Sequence, residues 1–140
     1  MRAYEASSLI DATPAQIWPV LADVAAWPDW DSGIITVVGK LALGEKFTVT
    51  SAAAPKRAFP VKATEVTEPT RMVIRGGMPL GLFVGNRVFT LTPEGASTRF
   101  TMREEYTGVL AGLIFRTIPD LGPSFRQFAE GLKQQVELPL

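Results

Sequence analysis

The two side chains that most often do chemistry in proteins are missing from this sequence. None of its 140 residues is His or Cys, which removes imidazole bases, thiolate nucleophiles and the soft metal ligands. Carboxylate, guanidinium and phenol remain, and the spacing of three residues brings one of each together. Residues 82–92 and 98–107 read as long strands around the turn Pro93-Glu94-Gly95-Ala96-Ser97. Placing Leu91 opposite Phe100 is the register parity that keeps both apolar faces on one side. Phe89 then faces Met102, Arg87 faces Glu104, and Gly85 faces Tyr106. An isolated buried charge is costly, so two opposite charges on one inner face should pair. One reading of this pair is a structural salt bridge near the open end of a sheet. The other makes it the polar anchor of an apolar pocket, with the Tyr106 hydroxyl beside it. In an enzyme, Glu104 would be the candidate general base, Tyr106 the proton donor and Arg87 the oxyanion stabiliser.

Other chemistries find little support. Asp23, Asp29 and Asp31 are spaced as caps and turn formers rather than as ligands for a hard cation. The Gly76-Gly77-Met78-Pro79-Leu80-Gly81 run lacks the Lys-Ser/Thr pair and following helix of a phosphate loop, and no Gly-x-Ser-x-Gly elbow exists. No metal or cofactor is expected. Fourteen basic residues balance fourteen acidic ones, so the overall charge argues for neither nucleic acid nor an anionic membrane surface. Arg71, Arg75, Arg99 and Arg103 alternate with apolar or small residues, as on a solvated outer sheet face. The N-terminus lacks an apolar signal core. The longest apolar run, residues 109–115, is far short of the roughly 20 residues that span a bilayer. The expectation is a cytoplasmic chain of one domain, residues 1–140.

The elements that must hold these residues are legible in order. Residues 2–10 read as a strand. Thr13, Pro14 and Gln16 form a helix start with a capping box, and Ile17, Val20, Leu21 and Val24 make one apolar face. Pro19 inside that segment predicts a short or kinked helix. Trp18 lies one position off the stripe, which predicts a place on or near the surface. Trp27-Pro28-Asp29-Trp30-Asp31 is a tight turn whose Trp30 is expected at the rim of a cavity. Strands follow at 34–38, 46–51, 57–66 and 71–75, separated by turns and no helix, which implies an antiparallel meander. Leu121, Phe125, Phe128, Leu132 and Val136 then step around one face of a closing helix from residue 120 to 136, with Asp120 as its expected N-cap. Gly131 inside that helix predicts a close approach by another segment. Residues 109–115 read as a connector, a lid, or the contact face of a homodimer.

The pattern Ala12, Ile17, Trp18, Leu21, Asp23 and Trp30 resembles the N-terminal signature of the START/Bet v 1-like superfamily, the SRPBCC group that includes polyketide cyclase/dehydrase-like proteins. Pro19 departs from that pattern. A second patch, the 82–91 strand followed by Thr98-Arg99-Phe100 and Arg103-Glu104-Glu105-Tyr106-Thr107-Gly108-Val109-Leu110, is similar to bacterial members. The resemblance covers essentially the whole chain. It implies an α+β helix-grip fold, in which a curved antiparallel sheet wraps around a long C-terminal helix. It also implies a small hydrophobic ligand (lipid, polyketide or aromatic metabolite) held in a cavity between the two. The expected lining is Trp30, Phe59, Met72, Ile74, Arg87 and Phe89 from the first part of the chain. Phe100, Met102, Glu104, Tyr106, Phe125 and Phe128 complete it. Two alternatives come with the same resemblance. One is a cofactor-independent polyketide cyclase or aromatase. The other is a protein-interaction module like the Hsp90 activators, which an exposed apolar patch would favour.

Overall fold

The computed structural model describes residues 2–138. Seven strands form one antiparallel sheet in the order β1-β7-β6-β5-β4-β3-β2. They are β1 (Arg2–Ile10), β2 (Ile34–Val38), β3 (Lys46–Ser51), β4 (Ala58–Thr67), β5 (Arg71–Gly77), β6 (Val84–Glu94) and β7 (Ser97–Thr107). The meander from β2 to β7 is the expected one, and β1 closes the sheet by pairing with β7. Helix α1 (Pro14–Ala22) leads through a 3₁₀ turn (Val24–Asp29) into β2, and α2 (Ala111–Thr117) and α3 (Gly122–Val136) follow β7.

The start of α1 is as its sequence dictates. Thr13 Oγ1 accepts from Gln16 N and the Gln16 side chain accepts from Thr13 N, a complete capping box. Pro19 lies inside the nine-residue helix, which ends at Ala22. Trp18 differs from expectation: it is 5% exposed and part of the core. Helix α3, strand β6 and the turn at Val24–Asp29 all pack on this short helix, so more of its circumference is covered than the Ile17 stripe alone requires. Trp27 is buried as well, and its indole Nε1 donates to Leu21 O at 2.9 Å.

Residues 109–115 are not a plain connector, since α2 begins at Ala111. The long helix α3 starts at Gly122, two residues later than expected. Asp120 does not cap it from the N-cap position but accepts from Gly122 N through Oδ1. Helix α3 lies over β1 and β7, and Ser8 Oγ donates to Ala129 O at 2.9 Å across that contact. Beneath it Phe128 sits at the centre of a ring cluster. Its centroid is 5.1 Å from Trp27, 5.2 Å from Trp30, 5.8 Å from Phe89 and 6.1 Å from Phe100. Buried aromatic area on this scale dominates a small core.

Candidate ligand-binding site

The register of β6 and β7 brings the polar triad together. Leu91 pairs with Phe100, Phe89 with Met102, Arg87 with Glu104 and Gly85 with Tyr106. The concave face continues through β5, where Ile74 stands opposite Arg87 and Gly76 opposite Gly85, and β4, where Ala63 and Val61 come next. Arg87 Nε donates to Glu104 Oε1 at 2.8 Å. The two side chains keep 22% and 16% of their exposure, so the pair is sheltered but reachable from solvent. The guanidinium also stacks over the Phe125 ring of α3, 4.7 Å from its centroid. A planar, delocalised cation suits both contacts at once. Burial works against the Arg87 charge, but Glu104 and then Tyr106 outweigh it and hold the guanidinium pKa above its ordinary value.

Tyr106 is 6% exposed, with its ring stacked on Phe83 (centroids 5.6 Å apart) and against Tyr4 and Phe115. Its hydroxyl is buried and has no hydrogen-bond partner of good geometry among the described residues. Burial foremost, then the neighbouring Glu104 carboxylate, pushes its pKa well above that of an ordinary phenol, with Arg87 opposing. Tyr106 is therefore a standing proton donor at neutral pH. An acid whose folded pKa is raised favours folding only while it is protonated. Stability is full below the unfolded value near 10 and falls as pH rises above it. Between pH 8 and pH 11 the wild-type protein should lose about 1.4 kcal/mol relative to Tyr106→Phe, read by urea denaturation at both pH values. Equal losses in the two proteins would place the phenol in a wet, unperturbed setting.

Floor and walls differ from the expected lining. Met72, Phe89, Phe100, Met102 and Phe128 are at most 2% exposed and packed in the core. They fill the space between the sheet and α3 rather than line an opening. Ile74 and Phe125 are buried at the edge of this core, beneath and beside Arg87. Trp30 is half-buried on Phe128, and its indole Nε1 is buried with no partner among the described residues. Phe59 is 43% exposed, with the Arg57 guanidinium 5.5 Å from its ring centroid. Around Phe59 the inner face opens. Its cross-strand partner Val49, and Val61 and Gly76 beside it, are half-buried. The outcome is a half-open apolar shelf at one end of the concave face, running from Phe59 past Val61 and the Gly76–Gly85 pair to Arg87, Glu104 and Tyr106.

The sequence register places Gly85 opposite Tyr106, but that Gly85 and Gly76 form the floor is visible only in the structure. Gly76 and Gly85 occupy inner positions on neighbouring strands where side chains would otherwise stand. A Cβ on Gly85 would sit 3.1 Å from Glu104 Oε2 and 3.4 Å from the Tyr106 ring. The missing side chain gives both groups room to lie across the strand. Among the described residues no group of Asp and Glu could hold a metal ion.

A curved seven-stranded sheet gripping a C-terminal helix, with short helices after the first strand, is the helix-grip fold of the START/Bet v 1-like superfamily. Within it, the chain belongs to the family described as polyketide cyclase / dehydrase and lipid transport, whose model matches residues 1–137. The fold is shared with a Chromobacterium violaceum protein at 16% identity and TM-score 0.72, covering 99% of this chain and 100% of that one. A START superfamily protein from Mycobacterium smegmatis is similar at 16% identity and TM-score 0.71, covering 96% and 97%. The di-domain aromatase/cyclase BexL of the BE-7585A biosynthetic pathway matches at 19% identity and TM-score 0.73, over 99% of this chain and 47% of its own. No curated protein matches the sequence.

Proposed function

We propose that this chain binds a small, mainly apolar molecule on the shelf between Phe59 and Tyr106, and fixes one oxygen-bearing end of it at Arg87, Glu104 and Tyr106. The observation that carries the reading is the sheltered Arg87–Glu104 pair on an otherwise apolar concave face, with a buried phenol hydroxyl left over beside it. A neutral ion pair adds no net charge to the site, so the matching ligand end is a carbonyl or hydroxyl rather than a full anion. Arg87 and Tyr106 supply donors to it, and Glu104 supplies an acceptor. Apolar contact with Val49, Phe59 and Val61 would provide most of the affinity and the polar end the orientation. Membership in a family named for cyclases and lipid transport supports the ligand class.

The test uses a fluorescent naphthalene-sulfonate probe and its displacement by two matched competitors, a long-chain alkane and the corresponding methyl ketone. The ketone should compete at least tenfold better in the wild type, the worth of one charge-assisted hydrogen bond in a sheltered site. Glu104→Gln keeps the shape and removes the charge, and should change the ketone's advantage while the fold survives. Equal competition by both molecules, unchanged in Glu104→Gln, would return the pair to a purely structural role.

A further inference from the structure

The end of the molecule where the shelf opens is also its most exposed apolar surface. Met78 and Leu80 in the β5–β6 loop are 42% and 96% exposed, and Val109 and Leu113 before and within α2 are 84% and 59% exposed. The two segments are joined: Leu110 N donates to Leu82 O at 2.9 Å, and Gly108 sits against the carbonyls of Gly81 and Leu82. Leu80 has φ 62, a left-handed backbone that a branched apolar residue seldom adopts. Its side chain gains no protein contact in return.

Cations flank these apolar side chains. On the convex face Lys46, Lys62 and Arg75 stand opposite one another on three adjacent strands. Like charges so placed repel, and all three are exposed with no ion-pair partner among the described residues. Together with Met78, Leu80 and Val84, and with Val61 and Gly76 of the shelf, they line one groove of about 280 Å³ at the strand ends. In the last turn of α2, Arg116 donates to Gly112 O rather than to an acid, and the Arg2 guanidinium lies against Gly112. The nearest carboxylate in sequence, Glu45, forms no ion pair among the described residues. Asp11, Glu68, Glu94 and Glu137 lie at the opposite end of the sheet. Glu104 and Glu105, also at this end, are taken up by Arg87 and Arg103, which leaves the Lys46–Lys62–Arg75 row uncompensated among the described residues.

We infer that this end docks on an anionic phospholipid surface. Leu80, Val109 and Leu113 enter the headgroup boundary, and the Lys46–Lys62–Arg75 row takes lipid phosphates. Exposed apolar tips bordered by unpaired cations complement such a surface in both respects, because apolar burial and attraction to anionic lipids add. An acidic protein would satisfy the cations but offers no reason for a Leu side chain held fully outward. Docking in this pose turns the open shelf toward the bilayer. The inference stands on the surface alone and does not depend on what the shelf binds.

The experiment is co-sedimentation of the protein with vesicles of phosphatidylcholine alone and with one-third phosphatidylglycerol. Binding is expected to the anionic vesicles and not to the neutral ones, and to vanish in 0.5 M NaCl as the charges are screened. Lys46→Gln with Lys62→Gln should weaken it about 25-fold, roughly fivefold per charge. Leu80→Asn suits the same backbone and should weaken it about tenfold by losing the apolar side chain. Both variants lie on the surface, and their melting temperatures serve as the folding control. Equal binding to neutral vesicles, binding indifferent to these substitutions in folded protein, or capture of polyglutamate with no vesicle binding would each overturn the inference.

Discussion

One methyl group added at Gly131 is expected to lower the stability of the fold by about 3 kcal/mol. Helix propensity alone predicts the opposite sign, since Ala in an exposed helix interior is better than Gly by up to about 1 kcal/mol. Packing decides. A Cβ at Gly131 would overlap the carbonyl oxygen of Asp31 and lie 3.3 Å from the Trp30 ring. Backbone cannot yield as the end of a long side chain can. The tryptophan turn is fixed against α3 one turn before this point, by Gln127 Nε2 donating to Asp31 Oδ1 at 2.8 Å and by the Trp30–Phe128 ring contact. Helix and turn would have to separate, opening the core around Phe128. Denaturant midpoints of wild type and Gly131→Ala measure the effect. A midpoint unchanged or raised would show that α3 does not approach the turn this closely.

The second large effect belongs to the ion pair. Arg87→Ala should cost about 3 kcal/mol, because it leaves the sheltered Glu104 carboxylate without its partner and strips a stacked cation from Phe125. Replacing both members, as in Arg87→Met with Glu104→Leu, should recover most of that loss. A matched apolar pair of similar volume carries no desolvation penalty. Arg87→Lys should fall between, since an ammonium keeps the charge but neither the planar stacking nor the fork. This double-mutant cycle separates a pair that stabilises from one that is merely tolerated. If Arg87→Ala costs less than about 0.5 kcal/mol, the pair is solvated and cannot anchor anything.

Much of this arrangement was legible in the chain because strand parity is a strict rule. Once Leu91 and Phe100 were required to share a face, Arg87 had to meet Glu104 and Gly85 had to meet Tyr106, and the sheet has that register. The close approach at Gly131 was legible for a similar reason: a glycine in a strongly patterned helix implies a neighbour. Trp18 was misplaced because α1 is covered by α3 and β6 as well as by the 3₁₀ turn, tertiary contacts that helical periodicity does not record. Helix α2 was hidden by its own composition, as Ala111 to Thr117 is short, apolar and without a side-chain cap. How completely the interior is filled could not be read at all. Phe89, Phe100 and Phe128 face inward whether they line a cavity or fill it, and their burial and mutual ring distances show that they fill it. The polarity of the surface was hidden as well, because Lys46, Lys62 and Arg75 are neighbours only through two strand pairings.

The central claim is that the open shelf, not the packed core or the opposite end, receives the ligand. Amide chemical-shift mapping with uniformly ¹⁵N-labelled protein and a methyl ketone titrated to saturation tests it directly. The expected result is a contiguous set of shifted resonances at Val49, Phe59, Val61, Gly76, Gly85 and Tyr106, which Glu104→Gln reduces. Shifts confined to the groove between Asp11, Gln16 and Val136 at the other end of the molecule, or none at saturating ketone, would contradict it.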